Sequence, residues 1–178
     1  MKKTILKSLA LLLFIAIIGS CSNEENIDSS ASKSNLAARA SVWDGPIGVY
    51  KGKNKYQITA DTSVIIADFE NTLEASGNKT TLQTLDIVKK AAVNDDTSEA
   101  YMLVASDNAG TSIGVMLLIK SNNFYFDGGG SGGGTTTICR GCATGCNLSY
   151  LLVDGKKFPY CNENGCGEYC TKSEVSIK

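Results

Sequence analysis

Seven cysteines and no histidine set the chemistry that this chain of 178 residues can do. Six of the seven cysteines lie in one stretch, as Cys139-Arg140-Gly141-Cys142-Ala143-Thr144-Gly145-Cys146 and Cys161-Asn162-Glu163-Asn164-Gly165-Cys166-Gly167-Glu168-Tyr169-Cys170. Thiols in that density either oxidise in pairs or hold a metal as thiolates. Without histidine the commonest general base and the commonest metal ligand are both missing. No Gly-x-Ser-x-Gly elbow is present, and the carboxylates are scattered and not paired in a motif, so the sequence gives catalysis little support. The candidate site residues are therefore sulfur: Cys139, Cys142, Cys146, Cys161, Cys166 and Cys170.

Two arrangements of those sulfurs compete. Three disulfides suit an even count in a segment too short to build its own core, and six cysteines allow 15 connectivities, among which sequence does not choose. Alternatively, Cys139, Cys142, Cys161 and Cys166 bind metal. Cys139-x₂-Cys142 with Cys161-x₄-Cys166 across a hairpin resembles a zinc ribbon, which implies zinc as cofactor; otherwise no cofactor is expected. The second spacing is looser than a zinc knuckle, and six cysteines exceed its need. A redox role for Cys139 and Cys142 lacks a visible helix to lower a thiol pKa.

The seventh cysteine has different surroundings. Met1-Lys2-Lys3-Thr4 is a positive start, Leu9 to Ile18 is an apolar run too short to span a bilayer, and Ile18-Gly19-Ser20-Cys21 follows. This series resembles the lipobox of bacterial lipoproteins. The resemblance implies a signal peptide at residues 1–20, cleavage before Cys21 and fatty acylation of Cys21, palmitate included. Each buried methylene contributes about 0.8 kcal/mol, so several chains on one residue anchor firmly. Ser22-Asn23-Glu24-Glu25 resembles the surface-export signal of some Gram-negative lipoproteins. It implies an outer-membrane protein facing the exterior, with the membrane as its first partner.

Composition limits the other partners. Losing residues 1–20 removes Lys2, Lys3 and Lys7 and leaves 14 basic against 18 acidic side chains. A mildly acidic protein lacks the basic face that nucleic acid requires. A protein partner would meet the C-terminal module, where Tyr150, Phe158, Tyr160 and Tyr169 either form a binding face or cover the sulfurs.

The elements that position the cysteines are legible in part. Residues 21–41 are rich in Ser, Ala and Asn and read as a flexible tether. Residues 42–127 read as the main domain. Ile47–Tyr50 and Tyr56–Ala60 read as a hairpin. Asp61 is placed to cap a helix over Thr62–Ser76, with Ile65, Ile66, Phe69 and Leu73 as its stripe and Asp68, Glu70, Asn71 and Glu74 as a solvated face. Runs at Thr81–Val93, Ala100–Ser106, Ser112–Lys120 and Phe124–Phe126 read as antiparallel strands joined by short turns. The glycine-rich residues 128–135 read as a linker, which leaves the Cys-rich tail mobile or folded back on the domain. Residues 136–178 read as a Cys-rich module whose Asp154-Gly155 marks a hairpin. The expected fold class is α+β: one helix packed on a small antiparallel sheet, followed by a Cys-rich hairpin module. The expected role is a lipid-anchored envelope protein that binds or supports. The alternative is a metal-binding or thiol-redox lipoprotein.

Overall fold

The computed structural model describes residues 42–128, 134–166 and 169–176, which belong to one compact unit. The signal-peptide, Cys21 and tether readings lie outside the described residues, as does most of the glycine-rich stretch.

Ten strands and one long helix make up the described part: β1 (Pro46–Tyr50), β2 (Tyr56–Ile58), α1 (Thr62–Ala75), β3 (Thr84–Ala92), β4 (Asp95–Ser106), β5 (Thr111–Lys120), β6 (Asn123–Phe126), β7 (Thr135–Arg140), β8 (Asn147–Val153), β9 (Lys156–Asn162) and β10 (Thr171–Ser176). Residues 42–44 add one helical turn. This corrects the expected fold class. The protein is mostly β, and the sheet beneath α1 is not small: it has eight strands, all antiparallel, with β8 and β9 forming a separate pair.

The physical reason for the correction lies in β5. Its apolar run Ile113–Leu117 is buried on both faces. β4 pairs along one edge, while β6 and β7 share the other, β6 against Leu117–Lys120 and β7 against Thr111–Gly114. β6 and β7 run in the same direction along β5, their registers offset by eight residues. β6 and β7 therefore lie on one line along the same edge of β5. β10 then adds outside β7, with Thr171 opposite Arg140 and Ser176 opposite Thr135. Two strands of the Cys-rich segment thus extend the sheet, which gives that segment a core it cannot build from its own residues.

Each face of the sheet has a cover. On one face Leu103, Ala105, Ile113, Val115 and Ile138 meet Ile65, Phe69 and Leu73 of α1, and the Trp43 ring lies tilted against Phe69 with centroids 5.6 Å apart. The helix begins as its sequence indicates, with Asp61 accepting from the Ser63 amide at 2.9 Å. Its acidic face needs one correction. Asp68 is buried, and the Trp43 indole donates to its Oδ2 at 2.8 Å. On the opposite face Met102, Met116, Ala92 and Ala100 meet Leu148 and Tyr150 of the β8–β9 hairpin. Asp154 and Gly155 turn that hairpin with φ of 51° and 73°, the left-handed geometry that Asp-Gly favours.

Candidate functional site

The sulfurs gather where β7 ends, β8 begins, β9 ends and β10 begins. Cys139 bonds Cys161, Cys142 bonds Cys166 and Cys146 bonds Cys170, with Cα separations of 5.4, 5.5 and 5.1 Å. The first cysteine thus pairs with the fourth, the second with the fifth and the third with the sixth. Cys139 on β7 belongs to the main sheet and Cys161 on β9 to the hairpin, so their bridge ties the two layers together. The other two bridges tie the loop before β8 to the loop before β10. Each closes 22 to 24 residues. In the chain-entropy account a single closure of that length is worth roughly 3.5 kcal/mol, and because the loops overlap the three do not simply add.

The hairpin brings Cys146 and Cys161 close, since the Cys146 amide reaches Glu163 O at 3.3 Å and Cys161 lies opposite Leu148. Each nevertheless bonds a different partner. Cys139 and Cys142, the pair considered for redox work, are likewise not bonded to each other. The four cysteines of the zinc arrangement appear as two disulfides, and a disulfide sulfur is not the thiolate that structural zinc requires. Among the described residues no group of three or more His, Cys, Asp or Glu is placed to hold a metal ion.

Backbone-to-backbone contact makes this end tight. Gly141 N–H donates to Gly110 O at 2.9 Å, joining the β7–β8 loop to the β4–β5 turn. A β-carbon on Gly110 would lie 2.2 Å from Gly141 O, and its φ of +117° already suits only glycine. Asp107 shapes that turn by accepting from the Ala109 and Thr111 amides, each at 2.8 Å, and from the Thr80 hydroxyl at 3.0 Å. Burial pushes the Asp107 carboxyl pKa up, but the Thr111 and Ala109 amides and the Thr80 hydroxyl outweigh it and hold the pKa below the usual aspartate value.

Polar contacts also dock the hairpin along the β3–β4 turn. The Asn94 side chain donates to Leu152 O at 2.8 Å and accepts from Leu152 N at 2.9 Å, imitating a neighbouring strand. The Lys90 ammonium donates to Leu148 O, and its burial lowers the pKa. Tyr150 is wholly buried with its hydroxyl on Ser98 O at 2.6 Å, and Lys157 lies 5.7 Å from its ring centroid. Of the four aromatic candidates, then, Tyr150 is buried in the same apolar cluster as Cys139, Cys146, Cys161 and Cys166, Tyr160 is half-buried, and Phe158 and Tyr169 stand exposed.

An open depression of about 570 Å³ lies at the same end, lined in part by Gly110, Arg140, Gly141, Cys142 and Tyr169. Sequence reasoning singled out Cys142 and Tyr169 but not Arg140 or Gly110. Arg140 had a weak signal, as the lone Lys or Arg within either cysteine triad. Comparison with protein-family models, with curated proteins and with solved structures finds no match.

Proposed function

We propose that this protein is a lipid-anchored component of a bacterial cell envelope, held through Cys21 at the outer membrane and facing the exterior, with a binding or structural role. The carrying observation is a pairing of features: Ile18-Gly19-Ser20-Cys21 after an apolar leader, and three disulfides downstream. Disulfides persist in oxidising compartments, which a signal peptide reaches. The C-terminal end is the face a protein partner meets in this reading, with Phe158 and Tyr169 outward on a rigid support.

Expression in a Gram-negative host with a clickable fatty acid tests the anchor. The native chain is expected to take up label and to accumulate as a larger precursor when the lipoprotein signal peptidase is inhibited. Cys21→Ser is expected to take up no label and to stay at the larger precursor size whether or not the peptidase is inhibited. Protease treatment of intact cells then reads the leaflet, since only an outward-facing protein is cut. Unlabelled native chain in the cytosol with reduced thiols would overturn the proposal.

A further inference from the structure

We propose that the Cys142–Cys166 bridge is a thiol–disulfide exchange site that accepts electrons from a dithiol through the depression beside it. The proposal goes beyond the envelope reading and does not depend on acylation of Cys21.

Three observations set this bridge apart. The first is access. Cys142 is half-buried and lines the depression, whereas Cys139, Cys146, Cys161 and Cys166 are each at most 6% exposed. Cys170 is half-buried too, but it is not among the residues lining the depression. An incoming thiolate thus meets Cys142 Sγ, and Cys166 is the leaving sulfur.

The second is what surrounds the sulfurs. The Cys142 amide points at Cys166 Sγ from 3.0 Å, and the Thr144 hydroxyl lies 3.6 Å from Cys142 Sγ. A disulfide sulfur carries no hydrogen, so in both contacts the sulfur accepts. Such donors favour the negative charge that grows on sulfur during exchange. Carbonyl oxygens face the sulfurs of the other two bridges, Ile138 O at 3.7 Å from Cys161 Sγ and Cys161 O at 3.8 Å from Cys170 Sγ, and an oxygen disfavours a thiolate. Cys166 Sγ also has Cys142 O at 3.5 Å, but the amide is nearer by half an ångström.

The third is charge. Arg140 lines the depression with its side chain exposed, and a guanidinium there attracts an anionic attacker.

The chemistry balances without a cofactor. One thiolate of the dithiol attacks Cys142 Sγ, a mixed disulfide forms, and the Cys142–Cys166 bond breaks with its electron pair on Cys166. The second thiol of the dithiol, as thiolate, then attacks its own sulfur in the mixed disulfide and releases Cys142. The dithiol leaves oxidised by two electrons, the bridge is reduced by two, and the two thiol protons pass to Cys142 and Cys166. The Cys139–Cys161 bridge stays closed, so the layers stay joined during the cycle.

The oxidised full chain is exposed to dilute dithiothreitol, or to glutathione or cysteamine as single thiols, quenched with an alkylating agent and mapped by peptide mass. Cys142 and Cys166 are expected to open at least about ten-fold faster than the other four cysteines, with trapped glutathione on Cys142. All three bridges opening together, another bridge opening first, or glutathione trapped on Cys166 would each overturn the proposal. Arg140→Gln provides a variant that keeps every cysteine. It is expected to slow anionic glutathione about three-fold more than cationic cysteamine. Equal effects on the two thiols would remove Arg140 from the site and overturn the proposal as drawn.

Discussion

The two faces of the sheet hold their covers by different means. α1 seats Ile65, Phe69 and Leu73 in an apolar core with Trp43 and Phe124, all buried, and among the described residues no disulfide joins it to the sheet. The β8–β9 hairpin buries Leu148 and Tyr150 but presents Val153 and Phe158 to solvent, and it is joined to the sheet through sulfur. The contrast follows from shape. A helix of 14 residues turns a continuous apolar stripe inward. A two-stranded hairpin buries only one face and is marginal in water by itself. Covalent closure, Asn94 on Leu152 and Lys157 on Glu99 O compensate for the missing apolar area.

The largest break in this contrast is expected on the helix side. Phe69→Ala empties the centre of that core and is expected to cost about 3–5 kcal/mol, the range for a fully buried phenylalanine. Urea unfolding followed by Trp43 fluorescence measures it, and a loss below about 1 kcal/mol would show that α1 is dispensable to the sheet. On the other side, replacing Cys139 and Cys161 together by serine is expected to cost about 2–4 kcal/mol. The informative readout is local. Amide exchange should rise across β8 and β9 while α1 stays protected; uniform loss of protection would mean that the two covers do not act separately.

How much of this was legible in the sequence depends on the range of the interaction. α1 was readable because capping by Asp61 and the spacing of Ile65, Phe69 and Leu73 are local. The β8–β9 hairpin was readable because Asp154-Gly155 is a local signal between apolar runs. The eight-stranded sheet was not. Thr135–Arg140 and Thr171–Ser176 are polar strands whose pairing partners lie far off in sequence, and the glycine run between β6 and β7 resembles a boundary when it bridges two segments of one strand line. Asp68 was misplaced for the same reason, because its polarity suits solvent until Trp43 supplies a donor from 25 residues away. For the site, sequence supplied the six sulfurs but neither their pairing nor the contact of Gly110 with Gly141, which only the folded backbone brings together.

That glycine contact sharpens the comparison at the end where the β4–β5 turn meets the disulfide-bonded loop. Gly110→Ala puts a methyl group 2.2 Å from Gly141 O at a φ of +117°, so the β4–β5 turn and the β7–β8 loop must part. The expected cost is roughly 1–3 kcal/mol, below that of emptying the Phe69 site. Thermal unfolding gives the magnitude. Faster alkylation of Cys142 after mild reduction, with Cys139 unchanged, would show that the contact guards the depression and not the layer bridge.

The smallest effect is electrostatic and belongs to the same turn. Asp107 carries its charge against the Thr111 and Ala109 amides, and its pKa sits below the usual aspartate value despite partial burial. A carboxylate whose pKa is lowered by folding stabilises the fold at pH above the unfolded value near 3.9, and that contribution fades as pH falls through the lower, folded value. Asp107→Asn is therefore expected to be less stable than the native protein by on the order of 1 kcal/mol at neutral pH. The gap should narrow below about pH 4, as the native carboxyl protonates and comes to resemble the amide. Paired urea titrations from pH 7 to pH 3 check this. A gap that stays constant across the range would assign the turn's stability to its backbone conformation and not to the charge on Asp107.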